Sequence, residues 1–282
     1  MNTLNRYQVT AIGLVWLALS SARAGVPLNN LQGVGGVAFN PLAYPAGQNE
    51  DKDAAKDSRL RDTFSNPQIG AWYVLLGDAV VNWVAGGVAE TLFHRLELSY
   101  GHEVVSPQGK DIHKNNLGAK FLLLPENSWD QPYLPAVSVG TIWKTTDLDP
   151  LPLADASKDG WDAYLVATKL ITQLPRPLLL SGGLLWTDEL GTGEFGHDSS
   201  RDLTWFGNAD VLPFSFLAVG VEYKQGAEYS DFKNANYWDA HVAWFVNPNL
   251  TLVAAYVNAG DERSTSKVGL GDGIVLSAQY AF

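Results

Sequence analysis

The sequence predicts an all-β chain: a transmembrane, antiparallel, up-and-down β-barrel of about 12 strands with an N-terminal plug or cover segment. From residue 67 onward, apolar residues recur at every second position in segments of about ten residues, the pattern of barrel strands. The joins between these segments alternate between short and long, as in bacterial barrels. After residue 24 no apolar run approaches the roughly 18 residues of a membrane-spanning helix, which excludes a helical bundle.

The composition agrees with this fold class. Aromatic residues make up 11% of the chain and charged residues 17%, with 27 glycines and no cysteine. The aromatic content excludes intrinsic disorder, and the absence of cysteine excludes disulfide frameworks and zinc–thiolate sites. Because 30 acidic residues stand against 19 basic ones, the surface repels nucleic acid, and we expect no nucleic-acid partner.

Residues 1–24 are predicted to be a secretory signal peptide. Arg6 provides a positive charge, residues 9–19 form an apolar core, and residues 22–24 (ARA) place small side chains at the cleavage site. The alternative is a single-span anchor, but the apolar run is shorter than the ~20 residues that a span requires. We therefore expect the mature chain to be exported.

Residues 25–66 are predicted to form a plug in the barrel or a periplasmic cover. The stretch 31–41 is glycine-rich and apolar, whereas the stretch 49–62 mixes charged and helix-forming residues. A thirteenth strand would break the even strand number of single-chain bacterial barrels. The alternative is a first strand and a loop within a fourteen-stranded barrel.

Residues 67–282 are predicted to form the barrel, and the last ten residues alternate most clearly. Ile274, Leu276 and Tyr280 share one parity, and Ser277 and Gln279 the other. A Lys or Arg that faces lipid at the bilayer midplane costs about 2–4 kcal/mol, so the polar parity is expected to face the lumen. The predicted strands lie near 67–76, 81–90, 94–103, 115–124, 133–143, 161–171, 178–188, 201–211, 214–224, 236–246, 250–259 and 273–282.

The predicted loop lengths orient the barrel. Short joins are periplasmic in such barrels and long joins lie outside, which places both ends of the predicted barrel on the periplasmic side. Long joins are predicted at 102–114, 144–160, 189–200, 225–235 and 260–272. A secreted β-sandwich or jelly roll also alternates, but its outer face should be polar, whereas one parity here carries large apolar residues.

Aromatic residues near the strand ends are predicted to form girdles at the two membrane interfaces. The predicted girdle comprises Trp83, Tyr100, Trp143, Trp186, Tyr223, Trp238, Tyr256 and Tyr280. The end of the chain, with Tyr280 and the terminal Phe282, resembles the recognition end of Gram-negative outer-membrane barrels. This resemblance implies outer-membrane lipid, lipopolysaccharide and the barrel-assembly machinery as partners.

Four motifs carry a second resemblance, which spans most of the mature chain. They are LQGVGG at 31–36, AFNP at 38–41, TLF at 91–93 and RLELSY at 95–100. With these motifs, the chain resembles a domain-of-unknown-function family of proteobacterial exported proteins. The resemblance implies an outer-membrane location and brings no catalytic residue with it.

Charged and polar side chains at inward positions form a predicted lumen cluster. If Tyr100 lies opposite Leu117 in the sheet, Glu97 falls opposite Lys120. The same counting on the 225–235 loop places Glu222 opposite Asp239. The predicted cluster comprises Arg95, Glu97, Lys120, Glu222, Asp239 and His241. It is either a hydrated lumen without a specific role or a cluster that sets solute selectivity.

The predicted function is a channel or uptake port for small solutes, because many inward positions carry small residues that leave space. The alternatives are a structural or surface-interaction barrel, and a lipid-modifying hydrolase that would use the tripeptide His197-Asp198-Ser199. No third group is apparent to orient this His197. We therefore expect no enzyme activity, no metal and no cofactor.

Overall fold

The structure is a computed structural model. It describes residues 28–47, 63–77, 81–107, 109–147, 156–190, 193, 195–230, 232–261, 263–264 and 266–282. The predicted signal peptide at 1–24 and the mixed-charge stretch at 49–62 lie outside the described residues.

Twelve strands of the described chain close into an antiparallel barrel, which confirms the predicted strand number. Each barrel strand pairs with the barrel strands before and after it in the chain, and the first closes against the last. The strands of the chain are β1 (Gln68–Leu76), β2 (Val81–Leu92), β3 (Leu96–Pro107), β4 (Ile112–Leu124), β5 (Ala136–Thr146), β6 (Ala156–Ser157), β7 (Asp159–Ile171), β8 (Leu178–Thr187), β9 (Glu189–Leu190), β10 (Phe195–His197), β11 (Asp202–Phe214), β12 (Leu217–Lys224), β13 (Tyr237–Asn247), β14 (Leu250–Asn258) and β15 (Asp272–Ala281).

The barrel has a short-turn end and a long-loop end. The short-turn end carries the joins after β2, β4, β7, β11 and β13, together with the C-terminus, and the long-loop end carries the other joins. Three short strands, β6, β10 and β9, pair in a separate small sheet at the long-loop end. The predicted loops at 144–160 and 189–200 therefore contain strand structure that the sequence analysis did not predict.

One predicted long loop, at 102–114, is wrong. Strand β3 continues to Pro107 and β4 begins at Ile112, so only residues 108–111 join them. Glu103 and Lys114 fall within the predicted loop, but their side chains are buried in an ion pair inside the barrel.

Buried and exposed side chains alternate along the barrel strands. Trp244 and Leu276 are each 49% exposed, whereas Ser277 and Gln279 are buried. A closed sheet has one outer and one inner face, so the exposed apolar set covers the outside and the buried set lines the lumen. The predicted parity of the C-terminal strand is confirmed. Within the described residues, no helix has the length and apolar character needed to cross a membrane.

Two predicted orientations are wrong. Trp83 is only 9% exposed and packs in the inner apolar cluster near Val74, its register partner on β1. Between Asn82 and Glu90 both parities of β2 are apolar or small, so alternation alone left the facing of Trp83 undetermined. Arg95 is exposed in the turn before β3, and its guanidinium donates to the carbonyl of Leu122 at 3.1 Å. The turn includes Phe93 with a φ of 52°, so the strand begins one residue after Arg95.

Candidate functional site

The inner wall of the barrel binds the main chain of residues 28–47, here called the N-terminal segment. Glu97 on β3 accepts a hydrogen bond from the N–H of Gly35 at 2.9 Å through Oε1, and from that of Ala46 at 2.7 Å through Oε2. Lys120 on β4 donates to the carbonyl of Gly35 at 2.9 Å. One ion pair of the wall thus holds two points of the segment that lie eleven positions apart in sequence.

Glu222 on β12 holds a third point of the segment. Its two carboxylate oxygens accept hydrogen bonds from the N–H groups of Ala38 and Phe39, at 3.1 and 2.9 Å. Phe39 also packs against the apolar cluster that contains Tyr237 of β13, with ring centroids 6.5 Å apart. The middle of the segment is therefore bound near the long-loop end of the barrel.

Further lumen side chains bind other main-chain groups of the segment. Neutral acceptors and donors of β1, β2, β5, β7 and β15 take part. Together with β3, β4 and β12, eight barrel strands therefore bind the segment. The acceptors are Gln279 for the N–H of Asn29, Gln68 for that of Gly47 and Thr168 for that of Ala43. The donors are Trp72 to the carbonyl of Asn29, Ser138 to that of Ala43 and Thr91 to that of Ala46.

A row of glycines makes room for the first turn of the segment. Gly70, Gly87 and Gly101 are register partners across β1, β2 and β3. A Cβ on Gly87 would lie 2.6 Å from the Cα of Gly33, and one on Gly101 would lie 2.4 Å from the carbonyl oxygen of Gln32. Gly33 itself has a φ of 86°, a conformation that glycine adopts without strain. The segment therefore packs directly on the backbone of the wall.

The predicted register of the lumen cluster is confirmed at two places. Glu97 lies opposite Lys120, and their Oε2 and Nζ atoms are 2.8 Å apart with both side chains buried. Glu222 lies opposite Asp239. A buried charge is tolerated when it is paired and hydrogen-bonded, and Glu97 has a cation and two N–H donors as partners.

His241 on β13 lies between two carboxylates. Its Nδ1 is 2.7 Å from Oδ1 of Asp239, and its Nε2 is 2.6 Å from Oδ1 of Asp210 on β11. Gly220 on the strand between them leaves the space, because a Cβ there would lie 2.3 Å from Oδ1 of Asp210. Asn208 donates to the other oxygen of Asp210 at 2.7 Å. The structure thus adds Asp210 to the predicted cluster and places Arg95 outside it.

Two other buried ion pairs of the lumen were absent from the predicted cluster. Lys114 lies 3.1 Å from Glu103, and Lys144 lies 2.7 Å from Asp162. These pairs could have been found by continuing the alternation of inward and outward residues past the predicted strand ends. Glu103 and Lys114, for example, are register partners on β3 and β4.

Most of the predicted aromatic girdle lies on the outer surface. Tyr100, Trp143, Trp186, Trp238, Tyr256 and Tyr280 are exposed and Tyr223 is half-buried, whereas Trp83 faces inward. Several of these rings pack pairwise on the outside, such as Trp238 with Tyr256 and Tyr280 with Phe282. Their role at a membrane interface remains a prediction.

The tripeptide at 197–199 does not form a nucleophile and base pair on the outer barrel face. His197 is buried in the small sheet of the long-loop end, with its ring packed against Tyr229 at 4.5 Å between centroids. Its Nδ1 accepts hydrogen bonds from the backbone N–H groups of Ser199 and Ser200, both at 3.2 Å. This nitrogen caps a turn of the loop.

Two cavities lie on different sides of the N-terminal segment. The larger, of about 440 Å³, reaches the turn between β4 and β5 at the short-turn end, where Pro125, Glu126 and Asn127 line it. The smaller, of about 50 Å³, lies toward the long-loop end and is lined by residues such as Trp83 and Tyr237.

The sequence as a whole matches one family model, described as a protein of unknown function (DUF3034), over residues 26–278. The chain belongs to this family. No curated protein matches the sequence.

Solved structures show which fold this DUF3034 member shares. The KdgM porin matches with a TM-score of 0.52 and 13% identity, over 76% of this chain and 99% of that one. The outer membrane protein Omp33 of Acinetobacter baumannii matches with a TM-score of 0.47 and 12% identity, over 78% and 100% of the two chains. The NanC porin matches with a TM-score of 0.47 and 10% identity, over 76% and 98%. The similarity to KdgM establishes a common barrel fold.

Proposed function

We propose that this chain is an outer-membrane channel for small solutes, and that the N-terminal segment is a plug that closes its lumen. The observation that carries the proposal is the set of lumen side chains that bind the main chain of residues 28–47. A barrel wall with charged residues on its inner face and apolar residues on its outer face is built to hold a polar interior within lipid.

The outer surface supports the location. Leu, Val, Trp and Tyr side chains occupy outward-facing positions along the strands. An exposed apolar surface of this extent indicates contact with lipid or with another apolar surface. KdgM, a porin by name, has the same fold. Transport through this chain is our inference from the closed wall, the polar lumen and the separate segment that fills part of it.

A closed structural or surface-interaction barrel is the second candidate, and the long-loop end favours it. Lys224 of β12 pairs with Glu189 of β9 at 2.6 Å, and Asn234 donates to the carbonyl of Glu189 at 2.8 Å. These contacts connect β12 and the join that follows it to β9 at the long-loop end of the barrel. A stable loop surface of this kind suits binding of a partner outside the cell.

An engineered disulfide between the N-terminal segment and the barrel wall tests the plug and the channel together. The chain has no cysteine, so an engineered pair forms a unique bond. The Cβ of Asn29 lies 3.3 Å from the position of a Cβ on Gly70, close to the separation of about 3.8 Å in disulfides. We expect Asn29→Cys with Gly70→Cys to oxidise to a faster-migrating form on a non-reducing gel. Asn29→Cys with Gly86→Cys is the control, because Gly86 faces outward.

Conductance in planar bilayers then separates the two candidates. We expect the oxidised variant to give no channel events and the reduced variant to give the events of the unmodified protein. If unmodified protein, reduced variant and a form lacking residues 28–47 are all silent, transport is excluded and the closed barrel is favoured. If the 29–70 pair fails to oxidise, the plug is excluded.

A further inference from the structure

The larger cavity has an apolar wall in a barrel whose lumen is otherwise rich in charge. Nine strands, β1, β4, β5, β7, β8 and β11 to β14, contribute residues to it. The apolar side chains of this wall are Leu122, Ala136, Leu170, Leu179, Leu212, Ala218, Ala243, Phe245 and Val253. A path for ions and water does not require such a surface, whereas a site for an organic molecule does.

The N-terminal segment supplies the opposite wall. Val37, Leu42 and Ala46 line the cavity from the segment and are otherwise buried. The cavity therefore exists only with the segment in place, since one of its walls is the segment itself. At about 440 Å³ it falls within the range of roughly 300–1,000 Å³ for small-molecule sites.

The polar groups of the cavity are unevenly distributed. Asp210 and His241 line it, and the imidazole is hydrogen-bonded to Asp210 and to Asp239. Asp239 and Glu222 lie behind the lining residues as register partners, so this group holds three carboxylates and one imidazole. Oδ2 of Asp239 is buried without a hydrogen-bond partner among the described residues. This side of the cavity has an excess of negative charge and of acceptors, which favours a ligand with a cationic donor group and disfavours a carboxylate.

We propose that this cavity is a binding site for an apolar molecule that carries one ammonium group. The apolar body contacts the wall around Ala218 and Ala243, and the ammonium group lies beside Asp210. The molecule reaches the site from the short-turn end, past Glu126 and Asn127. The proposal goes beyond the channel function, because it concerns binding to the barrel with its segment in place.

Three naphthalene compounds of equal size test the proposal: 1-naphthylmethylamine, 1-naphthylmethanol and 1-naphthoate. The full chain is placed in nanodiscs of zwitterionic lipid, and binding is measured by naphthalene fluorescence against empty nanodiscs. We expect the amine to bind at least about tenfold more tightly than the naphthoate, with the alcohol between them. Equal binding of the amine and the naphthoate, or equal uptake by empty nanodiscs, overturns the proposal.

Matched variants locate the site. Ala243→Phe fills the cavity and is expected to weaken amine binding by at least about tenfold, whereas Ala240→Phe, three residues earlier on the outer face, leaves it unchanged. Ala218→Leu provides a second cavity-filling variant with the same expected result. Asp210→Asn is expected to remove the preference for the amine over the alcohol. Unchanged amine binding in both cavity-filling variants overturns the proposal.

Conductance of the same preparations keeps this proposal distinct from the channel function. Amine binding without channel events would exclude transport and leave the site. Channel events without amine binding would exclude the site and leave transport.

Discussion

Glu222 and Phe39 are joined by a 2.9 Å hydrogen bond from the backbone N–H of Phe39 to the carboxylate, across 183 positions of the chain. The other oxygen of the same carboxylate accepts the N–H of Ala38. Two adjacent amides of the segment therefore depend on one side chain of the barrel. Since buried amides without an acceptor are costly, this contact couples the segment to β12.

Removal of the Glu222 carboxylate should loosen the middle of the N-terminal segment. Glu222→Ala leaves the N–H groups of Ala38 and Phe39 without acceptors, at a cost of about 1–3 kcal/mol for each buried group. We expect faster hydrogen–deuterium exchange in peptides that cover residues 35–42. Glu222→Gln, which keeps one amide oxygen as an acceptor, should restore part of the protection.

The control for this measurement is Glu228→Ala, at an exposed carboxylate of the long-loop end that pairs with Lys267. Its exchange in residues 35–42 should equal that of the unmodified protein. Equal exchange in Glu222→Ala would contradict the role of Glu222 in holding the segment.

Loss of the lumen cation Lys120 should destabilise the barrel. Lys120→Met leaves the buried carboxylate of Glu97 without its cation, and breaking a buried pair in this way costs about 3–5 kcal/mol. We expect a lower urea midpoint for the loss of the heat-modifiable folded band on gels. Lys267→Met removes an exposed cation and should change stability by less than about 1 kcal/mol. Similar midpoints for the two variants would contradict this prediction.

Gly87 of the glycine row should tolerate no side chain. Gly87→Val places a Cβ 2.6 Å from the Cα of Gly33, so the first turn of the segment must move away from the wall. We expect faster exchange in residues 28–36 and a lower unfolding temperature. Gly86→Val is the matched control, because a Cβ at Gly86 has only the carbonyl oxygen of Gly70 nearby, at 3.8 Å, and faces outward. A loss of protection that is as large in Gly86→Val would exclude contact with the segment as the cause.

Fluorescence quenching by brominated lipid can test whether one tryptophan faces the membrane and another faces the lumen. Trp244 is half exposed on the outer face, whereas Trp83 packs inside the barrel. Bromine quenches indoles that contact the acyl chains, so Trp244→Phe should reduce the quenched part of the fluorescence and Trp83→Phe should not. The same reduction in both variants would mean that Trp83 faces lipid.

The sequence by itself determined the barrel and much of its register. Alternation with a period of two fixes which residues share a face, and hairpin counting then placed Glu97 opposite Lys120 and Glu222 opposite Asp239. These are local properties of strands and turns. The prediction of side-chain facing failed where residues of both parities are similar, as around Trp83. It also failed where the residue lies in a turn and not in a strand, as at Arg95.

Only the tertiary structure decided what the lumen contains. The sequence shows that Glu222 is polar, but it does not show what Glu222 binds. Its partners are the main-chain amides of residues 38 and 39, and a main-chain amide has no signature in the sequence. The cavity beside Asp210 likewise results from the closure of the sheet around a separate segment. Closure of the barrel brings together strands that are far apart in sequence, and no local pattern of residues encodes these contacts.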